Sequence, residues 1–182
     1  TNDEYVMETV NLDSFFGLKT IKFSHCSGDF YGVLLDLITV TTSHIVYVDD
    51  DYNSSIPGWQ YDHFDVIQDG IDAITDNGTV YVYNGTYYEN VVVNKTINLI
   101  GENNSNTIID GQGVGCVINV TVSNVSISNF MIQNSGNFSD MGYSDAGVNV
   151  ITDYTNELEN CSFNNNIITD CLIGIRIING IN

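Results

Sequence analysis

ISNFMIQNS, Ile127 to Ser135, lies over LENCSFNNN, Leu158 to Asn166, at a shift of 31 residues, and at the same shift Cys116 to Val120 lies over Gly147 to Ile151. A repeat of this length is one supersecondary unit that must stack on its neighbours to bury an apolar face. Within each unit short β-branched runs alternate in and out, as Val125 and Ile127 do, and each run stops at Asn, Ser or Gly, which tolerate the turns between strands. No helical period runs through these units. The shift sets Asn129 over Asn160 and Asn134 over Asn165, so stacked coils would place amide on amide, and it gives Cys161 the phase of Phe130, as a small buried hydrophobe. The pattern predicts an all-β solenoid: a right-handed single-stranded parallel β-helix. Evenly spaced short strands also describe a β-sandwich, but in-phase Asn and apolar positions favour the solenoid.

Working outward from the repeat, the coils occupy residues 79–182: a first from Val80 to Gly111, a second from Cys116 to Gln133 and a third from Gly147 to Thr169. Gly136 to Ser144 is an insertion between the last two, and solenoid insertions map to one loop face. Residues 44–78 read as a strand from His44 to Val48, an acidic turn at Asp49, Asp50 and Asp51, a loop holding Pro57, Gly58 and Trp59, and an N-terminal capping α-helix. Phe64, Ile67, Ile71 and Ile74 fall on one helical face, with Asp62 as N-cap, Asp65 near the positive end and Asn77-Gly78 as the stop. Residues 1–43 carry no repeat phase and read as an upstream segment of unclear packing. Coils spaced about 4.8 Å apart make this chain a stub of roughly four turns. It starts without Met and stops just after the strand-like LIGIRIING, so the expectation is a piece of a longer β-helix.

Four Lys plus Arg against 23 Asp plus Glu give a net charge of −19, which argues against nucleic acid and anionic membrane surfaces as partners, since both require basic patches. No run reaches the roughly 20 apolar residues that span a bilayer. Asn-x-Ser/Thr triplets begin at Asn53, Asn77, Asn84, Asn94, Asn103, Asn119, Asn124, Asn137 and Asn160, where chance would give about four. The excess predicts an exported, cell-surface glycoprotein. Cys26, Cys116, Cys161 and Cys171 allow three pairings in an oxidising compartment. No Cys-x-x-Cys occurs and the three His are scattered, which disfavours a structural zinc site.

HFDVIQDGIDAI, His63 to Ile74, followed by GTVYVYNGTYYENVVVNKTINLIGENNSNTIIDG, Gly78 to Gly111, resembles the opening of the pectin-lyase-like β-helix superfamily. It looks closest to the archaeal surface proteins of that group, through Tyr47 to Asp51 and Pro57 to Trp59, and it is also similar to the start of pectinesterases. The resemblance implies the parallel β-helix and tests the activity residue by residue. The pectinesterase pattern continues with a Gln-Ala-Val block, then Cys-Ser-Phe, then Gln-Asp, whose carboxylates act as nucleophile and acid while glutamines hold the oxyanion. This chain reads Asp145-Ala146-Gly147, then Cys161-Ser162-Phe163, and then Ile167-Ile168 in the Gln-Asp slot. An isoleucine cannot attack an ester, and a carboxylate at position 145 opposes a developing oxyanion. Lyase chemistry needs clustered carboxylates for calcium plus a basic residue, and Arg176 is the sole Arg.

Three groups are candidate sites. Asp49, Asp51 and Asn53 alternate so as to offer oxygen ligands to a calcium ion, although Ser54 and Gln60 stand where an EF-hand loop has Gly and Glu. Tyr81, Tyr83, Tyr87 and Tyr88 form an aromatic group able to stack on sugar faces. Asp140, Asp145 and Asp153 flank the insertion as a carboxylate group of the kind glycoside hydrolysis uses. The expectation for function is a non-catalytic extracellular scaffold that contacts carbohydrate or other cell-surface proteins, with no cofactor unless calcium binds. The alternative is the N-terminal part of a polysaccharide lyase, hydrolase or esterase. A copper-accessory role, found in related periplasmic β-helices, is disfavoured by the absence of any His or Met cluster.

Overall fold

The computed structural model describes residues 45–140, 143–151 and 158–178, with the side chains of residues 140 and 143 outside the description. In chain order the elements are β1 (Ile45–Val48), β2 (His63–Phe64), α1 (Ile67–Ala73), β3 (Thr79–Val82), β4 (Gly85–Tyr87), β5 (Val91–Val93), β6 (Asn98–Gly101), β7 (Thr107–Asp110) and β8 (Ile118–Val120). They continue as β9 (Ser126–Ser128), β10 (Met131–Gln133), β11 (Ser139–Asp140), β12 (Tyr143–Ser144), β13 (Val148–Ile151), β14 (Ser162–Asn164), β15 (Ile167–Thr169) and β16 (Ile175–Ile178). Each coil gives one strand to each of three sheets. The first sheet runs β14-β9-β6-β3-β1-β2, the second β15-β10-β7-β4 and the third β16-β13-β8-β5, and every pairing within them is parallel. This is the expected parallel β-helix. The β11–β12 pair, inside the insertion, is antiparallel.

The vertical register corrects the 31-residue shift. Ile127 pairs with Phe163 rather than with Leu158. Asn165 donates from Nδ2 to Asn129 Oδ1 at 2.8 Å and Asn160 to Asn124 at 3.2 Å, both across 36 residues. On the third sheet Asn149 donates to Asn119 at 3.0 Å across 30 residues. The amide ladders therefore exist, with other partners than the sequence shift assigned. Asn124, Asn129, Asn134, Asn160 and Asn165 all adopt positive φ, as does Asp170, a conformation that Asn and Asp enter more readily than other side chains. Asn recurs because the corners flanking β9, β10, β14 and β15 take this conformation. Cys161 stacks one level from Val125, not in the phase of Phe130, and packs half-buried against the core. The coil boundaries shift too: β6 and β7 belong with β8 to a second full turn, so Val80 to Gly111 is more than one coil.

The interior consists of aliphatic columns. Val46, Val80, Leu99 and Ile127 form one, each fully buried and each stacked on the next. Val91, Ile118 and Val148 form another, which ends on Ile175 at 44% exposure. At about 1.5–3 kcal/mol for each fully buried aliphatic side chain, these columns supply the driving force for stacking. The column of Val48 and Val82 continues into Gly101, where a Cβ would lie 2.4 Å from the carbonyl oxygen of Asn129. The next coil's corner crosses there, and the ring of Phe130 fills the space a side chain would have used.

The helix α1 closes one end of the stack through buried Ile67 and Ile71, with Gly70 seated against Val46, Val48 and Val80. It is shorter than the sequence periodicity suggested: Phe64 lies in β2, the N-cap is Val66, and Asp62 is turned to the His63 ring at 2.7 Å. Val66 offers no capping oxygen. Instead, the Glu89 carboxylate accepts the N–H groups of Ile67 at 2.8 Å and Gln68 at 3.0 Å, which satisfies amides that a helix start leaves open. Burial pushes the Glu89 carboxyl above its ordinary 4.5, against the pull of the two N–H bonds. A raised folded pKa means the native state holds this proton longer than the unfolded chain does, so the group's contribution is fullest in acid and declines as pH rises through the folded value. Glu89→Ala is expected to cost about 1–2 kcal/mol at neutral pH. Denaturant titrations from acid to neutral pH should show the wild-type decline on the high-pH side of the ordinary glutamate value and its absence in Glu89→Gln.

The described residues all fall within one compact unit, Thr42–Asn182; the expected upstream segment, residues 1–43, and His44 lie outside them. Among the described residues no helix is long and apolar enough to cross a membrane. Cys116, Cys161 and Cys171 are free thiols, while Cys26 lies outside the described residues.

Candidate functional site

On the first sheet the side chains at alternate positions face away from the core, and near the capped end these are aromatic. Tyr47 of β1 is in register with Tyr81 of β3 on one side and with His63 of β2 on the other. Tyr83 and Tyr52 complete the group. Ring centroids are 5.1 Å apart for Tyr81 and Tyr83, 6.3 Å for Tyr47 and Tyr83, 6.5 Å for Tyr47 and Tyr81, and 5.2 Å for Tyr52 and His63. Edge-to-face, tilted and stacked pairs of this kind hold one another in place. Ile45, Tyr47, Thr79, Tyr81 and Tyr83 line an open hollow of about 250 Å³. Burial, then the neighbouring Tyr83 and Asp49, push the Tyr52 phenol up to about 12, so it stays a neutral donor at physiological pH.

This geometry regroups the tyrosines singled out in the sequence. Tyr81 and Tyr83 belong to the outward face. Tyr87 is buried at 3% exposure and donates its hydroxyl to the Tyr83 carbonyl at 3.1 Å, and Tyr88, 65% exposed, makes no ring contact with the group. Sequence reasoning missed Tyr47, Tyr52 and His63. The alternation of Ile45, Val46, Tyr47 and Val48 was the available signal, but the pairing of β1 with β3 across 34 positions was not visible in it.

The acidic turn gathers Asp49, Asp50 and Asp51, whose carboxylate oxygens lie within 4.8 Å of one another. Asn53 donates its amide to the Asp51 carbonyl at 3.2 Å. Its Oδ1 accepts the Ser55 N–H and hydroxyl at 3.1 and 2.7 Å, closing a local turn. Asp50 is also committed, to the Thr86 N–H at 3.3 Å, and its carboxylate lies over Gly85, 2.4 Å from where a Cβ would stand.

Of the carboxylates around the insertion, Asp145 is a clasp. Its Oδ2 accepts the Phe138 N–H at 2.8 Å, and the Asp145 N–H reaches back to the Phe138 carbonyl at 2.9 Å. The Asp140 side chain and all of Asp153 lie outside the described residues. Ile167 and Ile168 form part of β15, the first 39% exposed and the second packed against the core. Burial pushes the Cys116 thiol up, which leaves it a poor nucleophile.

The nine glycosylation triplets divide by what their amides do. Asn119, Asn124 and Asn160 are tied into ladders, Asn84 donates to Glu102 at 2.9 Å, and Asn53 and Asn103 close turns. All nine are exposed except the half-buried Asn119.

No protein-family model matches this chain, and no curated protein matches it. Among solved structures it is similar to pectin methylesterase from carrot, at 17% identity and a TM-score of 0.49 over 72% of this chain and 40% of that one. It is also similar to pectin methylesterase PemA from Erwinia chrysanthemi, at 16% identity and a TM-score of 0.45 over 69% and 48%. The chain spans less than half the length of either. The three parallel sheets carry the fold assignment by themselves.

Proposed function

We propose that this chain is a non-catalytic β-helix scaffold of an extracellular cell-surface glycoprotein, and that it contacts carbohydrate through the aromatic face of β1 and β3. The observation that carries the reading is the outward row of Tyr47, Tyr81 and Tyr83 around an open hollow on a rigid sheet, since flat rings presented at fixed spacing are what sugar faces stack on. The excess of Asn-x-Ser/Thr triplets supports export, and Tyr47 to Asp51 with Pro57 to Trp59 resembles archaeal surface β-helix proteins. Ile167-Ile168 in the pectinesterase Gln-Asp slot supports a scaffold over an esterase.

A glycan array probed with the wild-type chain and with Tyr47→Ala and Tyr81→Ala tests this directly. Each substitution should weaken binding about tenfold, the effect of one lost stacking contact. Release of methanol, reducing ends or unsaturated products from uronate polymers would instead establish the enzymatic alternative.

A further inference from the structure

We propose that the aromatic face selects a cationic amino-sugar glycan, such as a glucosamine oligomer, and rejects uronate polymers. The inference rests on the carbohydrate-contact reading and adds the chemical class of the ligand. It comes from how the strand ladders continue past β1, β3 and β6. The Tyr83 N–H donates to the Val48 carbonyl at 2.8 Å and the Glu102 N–H to the Val82 carbonyl at 2.8 Å. One step beyond the paired Val48, Val82 and Gly101, these bonds stack Asp49, Tyr83 and Glu102 in a single column. Two residues separate that column from Tyr47 and Tyr81, so strand alternation places both columns on the outward side. Tyr83 thus stands between two carboxylates, beside the row that lines the hollow.

Glu102 is held for this position. Its Oε2 accepts both the backbone N–H and the side-chain amide of Asn84, at 3.0 and 2.9 Å, and these bonds, the side-chain one foremost, hold its carboxyl below the ordinary glutamate value. Asp62 is no part of this rim, being 7% exposed and turned to the His63 ring at 2.7 Å. Of the described cations, Lys95 is committed to the Asp72 and Ile74 carbonyls at 2.6 and 2.7 Å, and Arg176 lies on the third sheet. A uronate chain would bring its own negative charges against this rim. A protonated sugar amine would make charge-assisted hydrogen bonds to Asp49 or Glu102 while its ring lies on tyrosine, where a nearby cation also gains from the π face.

Calorimetric titration with hexamers of glucosamine, N-acetylglucosamine and galacturonate, at mildly acidic pH and physiological ionic strength, tests the assignment. The glucosamine hexamer should bind at least about tenfold tighter than the acetylated one, and Glu102→Gln should erase most of that difference. Tyr81→Ala should weaken glucosamine binding about tenfold, while Tyr81→Phe, which keeps the ring, should retain it. Equal binding of the acetylated hexamer would overturn the charge selection and leave the carbohydrate reading standing; binding of galacturonate would do the same. Glucosamine binding that Tyr81→Ala leaves unchanged, or that oligolysine matches, would reduce the effect to attraction between a polycation and an acidic protein, and so overturn the proposal. No binding to any of the three would overturn the proposal, while the glycan array decides the carbohydrate reading separately.

Discussion

Phe130→Ala is expected to lower the unfolding free energy by about 3–5 kcal/mol, the range for deleting a buried aromatic ring. Phe130 is fully buried at a coil corner, and its ring lies against Gly101 of the coil below, where no side chain can advance to fill a void. Its N–H donates to Asn166 Oδ1 of the coil above at 3.0 Å, and its carbonyl receives the Ile167 N–H at 2.8 Å. The backbone is pinned from above, so collapse into the cavity is resisted and the cost should fall toward the upper end. Phe163, half-buried in the last described coil, provides the contrast: Phe163→Ala should cost less than half as much. Denaturant titrations with a common slope would measure both. A Phe130→Ala loss under about 1 kcal/mol would mean that the corner is not packed as described.

Asp110→Ala should be nearly as damaging, at about 2–4 kcal/mol near neutral pH. Asp110 ends β7 at 7% exposure, and its carboxylate accepts three bonds: from Gln133 Nε2 at 2.8 Å, Asn134 Nδ2 at 2.7 Å and the Gln112 N–H at 2.8 Å. Two of these donors come from the next coil, so the carboxylate rivets neighbouring turns together. Burial pushes the Asp110 carboxyl up, yet the three donors together outweigh it and the net shift is downward from 3.8. A folded value below the unfolded one means that this stabilisation is complete above the ordinary aspartate range and is lost as pH falls through the folded value. Asp110→Asn should therefore be markedly less stable than wild type at neutral pH, and the gap should narrow in acid. A gap that stays constant down to acid unfolding would show that the charge on Asp110 contributes nothing to coil stacking.

The architecture was legible because its signals are local. Strand alternation, Asn at corners and the Ile67, Ile71, Ile74 face each fit within a dozen residues, and each led to the right element. Register was not, because the corners differ in length. On the first sheet Thr79, Asn98, Ser126 and Ser162 stack at spacings of 19, 28 and 36 residues, and on the third Val91, Ile118, Val148 and Ile175 stack at 27, 30 and 27, so no single shift aligns the whole stack. NVSISNFMIQN, Asn124 to Asn134, over NCSFNNNIITD, Asn160 to Asp170, was the better match, and it keeps Asn or Asp on every positive-φ corner. The shift of 31 won by pairing Asn with Asn one strand out of place. The aromatic face was half legible for a related reason: Tyr81 and Tyr83 stand in one strand segment, whereas Tyr47 and His63 reach them only through pairing. The Glu89 contact with α1 had no sequence signature, since its partners lie 22 and 21 residues upstream.

That contact also dictates an order of events. Seven residues are too few to form a helix unaided, and the group that anchors the first amides of α1 is made later in synthesis, which proceeds from the N-terminus. The lid must therefore wait, loose, until the segment carrying Glu89 has been made and has wound into place. During refolding the amides of Ile67 and Gln68 should gain protection from hydrogen exchange no earlier than those of Gly85–Tyr87 and Val91–Val93, the strands on either side of Glu89, so that the end of the cylinder is sealed from behind by the turn it covers.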